Sequence, residues 1–135
     1  MSTDIKIDTV GQVYEAFGRG DVPTILGAVT DDVDWAAETT SSVAPWYGVR
    51  HGKDEVSAFF NEFGSAMEVQ EFTPLTFAAN DTDVFTIVRI RAQSRDTGRM
   101  MVNNLHHFFR FKNGKIALWR GTEDTAQTED VLRSS

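Results

Sequence analysis

Apolar side chains at Ile7, Val10, Tyr14 and Phe17 recur every three or four positions and stop at Gly18-Arg19-Gly20. That spacing puts them on one stripe of a helix, which the glycines end. A second helix is predicted directly afterwards: Asp21 can accept from free amide groups as an N-cap, Pro23 suits the first turn, and Val22, Ile25, Leu26 and Val29 form the apolar stripe. A short strand over residues 33–37 follows Asp31-Asp32, and then a loop over residues 38–50 whose Trp46 and Tyr47 suggest a lid. The third helix has the clearest pattern, with Val56, Phe59, Phe60, Phe63 and Met67 at helical spacing after Gly52-Lys53-Asp54.

From Val69 onward the period changes to two. The segments 69–79, 84–94, 99–112 and 115–123 are rich in Val, Ile, Phe and Thr, and they are split by Asn80-Asp81, Asp96-Thr97-Gly98 and Asn113-Gly114. Asn-Gly marks a two-residue hairpin, because both central residues of a type I′ turn need positive φ. Three N-terminal helices followed by a strand meander predict an α+β fold, with the helices packed on one face of a strongly curved antiparallel sheet that makes a cone. The 135 residues are read as a single domain. Its ordered core is expected over about residues 5–125, with 126–135 as a polar tail that frays.

Composition narrows the function classes. The formal net charge is −7, with 20 acidic against 13 basic residues and no basic cluster, so a nucleic-acid partner is not expected. The absence of Cys excludes disulfides, thiol nucleophiles and Cys-ligated metals. The first residues, MSTDIKIDTV, lack a basic region followed by an apolar run, and no stretch reaches the ~18 apolar residues of a membrane span. No signal peptide and no membrane association are therefore expected, and the expected location is cytoplasmic.

Four stretches carry a resemblance: YEAFGRGDVPTIL with DDVDW, YGVRHGKDEVSAFF, HFFRFKNGKI and WRGTEDTA. Together they resemble the SnoaL-like branch of the NTF2-like superfamily, which includes ketosteroid isomerase, scytalone dehydratase, limonene epoxide hydrolase and polyketide cyclases. The resemblance implies a cone of three helices on a curved sheet around a deep pocket, a homodimer formed through the sheet, and chemistry that changes from member to member. Carried over position by position, it mostly subtracts. The isomerase general base falls near Ala37, its helix-borne hydroxyl near Val13, and its protonated acid near His106 or His107. The hydrolase Arg and its two carboxylates fall near Arg89, Arg91 and Gly121, and the cyclase acid also falls near Gly121.

What remains depends on side-chain alternation. A hairpin closed on Asn113-Gly114 without irregularity puts His106 on one face with Trp119, Gly121 and Glu123. The resemblance instead aligns the pocket histidine with His107, which would require a bulge, and His107 is favoured. The resemblance also turns Phe85, Ile87, Arg89 and Arg91 inward, although the arginines could equally decorate a solvated face. The candidate catalytic set is therefore His107 (His106 if the register differs), Glu123 and Arg89. Imidazole can shuttle a proton, a carboxylate can orient it, and a guanidinium can stabilise an enolate or bind an anion. Tyr14, Trp35, Trp46, Tyr47, Phe60, Arg91, Asn103, Leu105 and Trp119 are expected to bind a small lipophilic ligand. No metal and no cofactor are expected, since adjacent histidines on a strand point opposite ways. Two function classes follow: a cofactor-independent acid–base enzyme of isomerase, dehydratase or cyclase type, or a non-catalytic small-molecule binder or dimeric scaffold.

Overall fold

A computed structural model describes residues 2–133. Helix α1 (Thr3–Gly18) starts at Ser2, whose hydroxyl accepts from the Ile5 amide, and α2 (Val22–Gly27) starts at Asp21, which caps Thr24. Strand β1 (Val29–Ala37) is longer than its sequence pattern suggested. The segment read as one loop contains a short strand, β2 (Gly48–His51), before α3 (Gly52–Ala66). The meander follows as β3 (Met67–Ala79), β4 (Asp83–Ser94), β5 (Met100–Lys112) and β6 (Lys115–Thr122). Three helices thus precede the meander as expected. A fourth, α4 (Thr125–Leu132), occupies the stretch expected to fray. It forms because Thr128 and Val131 are buried beneath it and because the β4–β5 turn satisfies its last carbonyls, Thr97 Oγ1 donating to Val131 and Arg99 to Asp130.

The six strands form one curved sheet in the order β2-β1-β6-β5-β4-β3. It is mixed rather than antiparallel throughout, because β1 runs parallel to β6, with β2 at the edge beyond it. The register shifts within the β3–β4, β1–β6 and β5–β6 ladders, the kind of irregularity that favours curvature. Pro74 sits in edge strand β3, where a missing amide donor is tolerated. The β5–β6 turn has Asn113 at φ 52° and Gly114 at φ 82°, the pair of positive values that a type I′ turn requires.

The core lies between the inner sheet face and helices α1 and α3. From α1 come Val10, Val13 and Tyr14, from α3 Val56 and Phe59, and from β4 Val84, Val88, Ile90 and Ala92. The alternation on β4 is therefore the reverse of the one implied by family resemblance. Val84, Thr86, Val88, Ile90 and Ala92 face inward, while Phe85, Arg89 and Arg91 face out. Apolar burial decides this: turning the strand over would expose four branched or small apolar side chains and strip water from two guanidinium groups. Arg89 instead lies 3.7 Å from Glu71 on the outer surface.

Candidate functional site

The β5–β6 ladder decides which histidine faces the cavity. Near the turn, Phe111 pairs with Ile116, but the next pair is Arg110 with Leu118, so Ala117 is an extra residue. This bulge moves the register by one. His107 therefore stands opposite Gly121 and Phe109 opposite Trp119 on the inner face. His106 is exposed on the outer face, opposite Thr122.

Inside the cone lies a cavity of about 80 Å³. Its walls are almost wholly apolar: Val13, Phe17, Trp35, Trp46, Phe59, Phe60, Phe63, Phe72, Ile90, Met101, Leu105, Phe109 and Trp119 all border it. Trp35 and Trp119 stack with ring centroids 4.5 Å apart, and Phe59 packs edge-on against both. Trp46 does not stand off as an open lid: it is 3% exposed and meets Phe63 edge-on at 4.9 Å. Two polar groups of side chains interrupt this lining.

The first is built on α1, β4 and β5. The Tyr14 hydroxyl lies 2.7 Å from His107 Nδ1 and 2.5 Å from Thr86 Oγ1. All three residues are buried, His107 at 9% exposure. Burial, reinforced by the charge of neighbouring His106, pushes the His107 pKa from 6.5 down to about 3. The imidazole is thus neutral at physiological pH, with a proton on one nitrogen only. Burial pushes the Tyr14 hydroxyl pKa up, despite its hydrogen bond with Thr86, so it stays protonated. His107 Nε2 takes part in no hydrogen bond among the described residues.

The second group sits where β6 gives way to α4. Glu123 borders the cavity, and its Oε2 accepts hydrogen bonds from the Tyr47 hydroxyl at 3.1 Å and from Thr128 Oγ1. Burial raises its pKa, opposed by those two hydrogen bonds and aided by the charge of Asp124. Tyr47 is raised in turn, by burial first and then by the Glu123 charge.

The sequence-predicted site is therefore brought together in part. Tyr14, Trp35, Trp46, Phe60, Leu105, His107, Trp119 and Glu123 all border the cavity. Tyr47 reaches it through Glu123. Asn103, expected to bind ligand, is buried but does not border the cavity; it clamps the chain after β6, its amide donating to the Asp124 carbonyl and its oxygen accepting from the Asp124 amide. Arg89, Arg91 and His106 lie on the other side of the sheet. Among the described residues, His107 and Glu123 share no hydrogen bond, and no group of three or more His, Asp or Glu is placed to hold a metal. Sequence reasoning missed Thr86 and Thr128. Thr86 sat on the strand face taken to point outward, and Thr128 in the supposed tail.

Gly121 stands where the family resemblance led a carboxylate to be expected. A Cβ at this position would lie 2.6 Å from two ring carbons of Trp119 and 3.4 Å from His107 Cδ2. The indole occupies the volume that a side chain at 121 would need, and a cavity carboxylate appears two residues on, at Glu123 just beyond β6.

This geometry agrees with what the chain resembles. A family model, SnoaL-like domain, matches residues 10–119, and the chain belongs to that family. An NTF2-like protein of unknown function from Burkholderia pseudomallei is similar in structure at TM-score 0.90 and 29% identity, over 99% of this chain and 100% of that one. A candidate isomerase from Rhodopseudomonas palustris shares the fold at TM-score 0.79 and 19% identity, over 98% of each chain. A candidate polyketide cyclase from Xanthomonas campestris pv. campestris does so at TM-score 0.80 and 18% identity, over 96% of this chain and 98% of that one. No curated protein matches the sequence. Among the described residues, no helix is long and apolar enough to cross a membrane.

Proposed function

We propose that this protein is a cofactor-independent acid–base enzyme, of isomerase, dehydratase or cyclase type, acting on a small lipophilic molecule held in the cone. One observation carries the reading: two separate hydrogen-bonded groups, centred on His107 and Glu123, border one apolar cavity, and burial displaces their pKa values in opposite senses, His107 down and Glu123 up. Burial that keeps the imidazole neutral and raises the carboxyl gives the two groups different roles at the cavity. Glu123, raised toward the working range, is the group that takes and returns a proton. His107 is too weakly basic to accept one at neutral pH. With Tyr14 behind it, it serves as a neutral hydrogen-bonding group for the oxygen on which charge develops. The Trp35–Trp119 stack and the phenylalanines favour a flat, conjugated substrate. The candidate isomerase and polyketide cyclase of the same fold lend support to this class of chemistry.

The test is deuterium uptake from D2O at the acidic carbon of small cyclic enones and aryl ketones, followed by proton NMR. Uptake by the parent protein that falls by roughly 10² or more in Glu123→Gln supports the reading. Uptake at the buffer rate across the panel, with the same ketones raising the melting temperature as mass action requires, would replace it by the non-catalytic binder. Gly121 and Ala37, which stand where related enzymes carry carboxylates, favour that second reading. Pairing of two copies through the outer sheet is supported by Phe85, which is 51% exposed and stacked on Phe108. Native mass spectrometry at micromolar concentration tests the dimer, and a monomer would overturn it.

A further inference from the structure

Three elements meet at one oxygen of Glu123. The residue itself directly follows β6, Tyr47 comes from the segment before β2, and Thr128 comes from the first turn of α4. Both hydroxyls donate to Oε2, and Oε1 accepts no hydrogen bond among the described residues. Nor is Oε1 sealed away: the buried side-chain polar atoms without partners are Thr30 Oγ1, Asp34 Oδ1 and Trp35 Nε1. The carboxylate is therefore held by one oxygen and open at the other, on a residue that borders the cavity.

We infer that Tyr47 and Thr128 are positioning residues that anchor Glu123 by Oε2 and so assign proton transfer to Oε1, which faces a substrate C–H or O–H. The inference rests on the acid–base reading above and deepens it. Two donors on one oxygen localise negative charge there and fix the carboxyl plane, so the remaining lone pairs keep one direction. The same donors favour the ionised form against the burial that disfavours it, which sets how basic Oε1 is. The charge that acts on this carboxylate is that of its chain neighbour Asp124, while Glu129 on α4 acts on the Tyr47 hydroxyl and the neutral His107 on β5 borders the same cavity. Asn103 fixes Asp124 by its backbone, so the strand end that carries Glu123 cannot drift away from the two hydroxyls.

Tyr47→Phe and Thr128→Val each delete one donor while keeping most of the packed volume. The readout is the Glu123 carboxyl titration, followed by carbon-13 NMR of ligand-free protein labelled at glutamate side chains, with Glu123→Gln assigning the resonance. Each deletion is expected to raise the Glu123 pKa by about one unit, the size of a hydrogen bond to a charged group. Thr128→Ser, which keeps the hydroxyl, is expected to restore the parent value, which loss of packing alone would not do. The acid limb of the deuterium-uptake profile is expected to move alkaline by the same amount. A titration unmoved in both deletion variants overturns the anchoring. A titration that moves in a protein that exchanges no ketone C–H supports the anchoring and overturns the functional reading instead.

Discussion

The Tyr14 hydroxyl lies 2.7 Å from His107 Nδ1, tying the C-terminal half of the first helix to the centre of β5. Thr86 completes the set from β4 at 2.5 Å. Each side chain has a polar atom in a place where water is scarce, so each depends on the others. Tyr14→Phe keeps the ring, which packs edge-on against Phe72 and Phe109, and removes only the oxygen. It leaves Thr86 and the imidazole short of a partner, and the expected loss of stability is about 1–3 kcal/mol. Urea unfolding should show a lower midpoint at unchanged slope. A loss no larger than that of a surface substitution would mean that water reaches the pair.

His107 and Glu123 make opposite contributions to the pH dependence of stability. The folded His107 pKa, about 3, lies below its ordinary 6.5, so the unfolded chain binds the proton first as pH falls. Its contribution is full above 6.5 and declines toward 3, with a slope of about 1.4 kcal/mol per pH unit. Glu123 is raised above its ordinary 4.5, so its contribution is present below 4.5 and is lost as pH rises through the folded value. The arginine-paired carboxylates Asp34, Glu62 and Asp83 are lowered and act at more acid pH. The window from 4.5 to 6.5 thus isolates the two cavity groups. Urea titrations across it should show that Glu123→Gln steepens the rise of stability with pH and that His107→Asn flattens it. A slope unchanged in His107→Asn would place the imidazole in contact with solvent.

Arg89→Ala and Arg91→Ala should each change stability by within about 0.5 kcal/mol and leave ketone binding unaltered, as calorimetry can establish. These two residues mark the limit of what the sequence disclosed. The first and third helices, the four meander strands and the Asn113-Gly114 turn were legible because each has a local cause: periodicity, a cap, or an obligatory positive φ. The inward face of β4 was not, because both of its alternating sets contain large apolar residues. Only the tertiary context shows that Val84, Val88, Ile90 and Ala92 win the interior and leave Phe85 outside. The choice between His106 and His107 depended on a bulge at Ala117, which no turn residue announces. β2 and α4 were hidden for a related reason. The first gains its ladder from β1, and the second gains its buried face and its carbonyl partners from β5 and the β4–β5 turn.

Gly121→Ala is the most informative single methyl in the chain. The added carbon would sit 2.6 Å from the Trp119 ring, closer than side chains approach one another, so either the indole or the β6 backbone must yield. The indole is held by its stack on Trp35 and by the His107 edge, at centroid distances of 4.5 and 5.1 Å. The expected cost is about 1–3 kcal/mol, as for other overpacked interiors. Trp119→Phe withdraws the outer ring carbons that the new methyl would strike. In a double-mutant cycle, Gly121→Ala should therefore be less costly beside Trp119→Phe than alone. Additive costs would show that the backbone moves and the ring does not. Coupling would confirm that positions 119 and 121 compete for one volume, so that the indole seated over Gly121 leaves no room there for a carboxylate and the acidic group of this wall stands beyond β6, at Glu123.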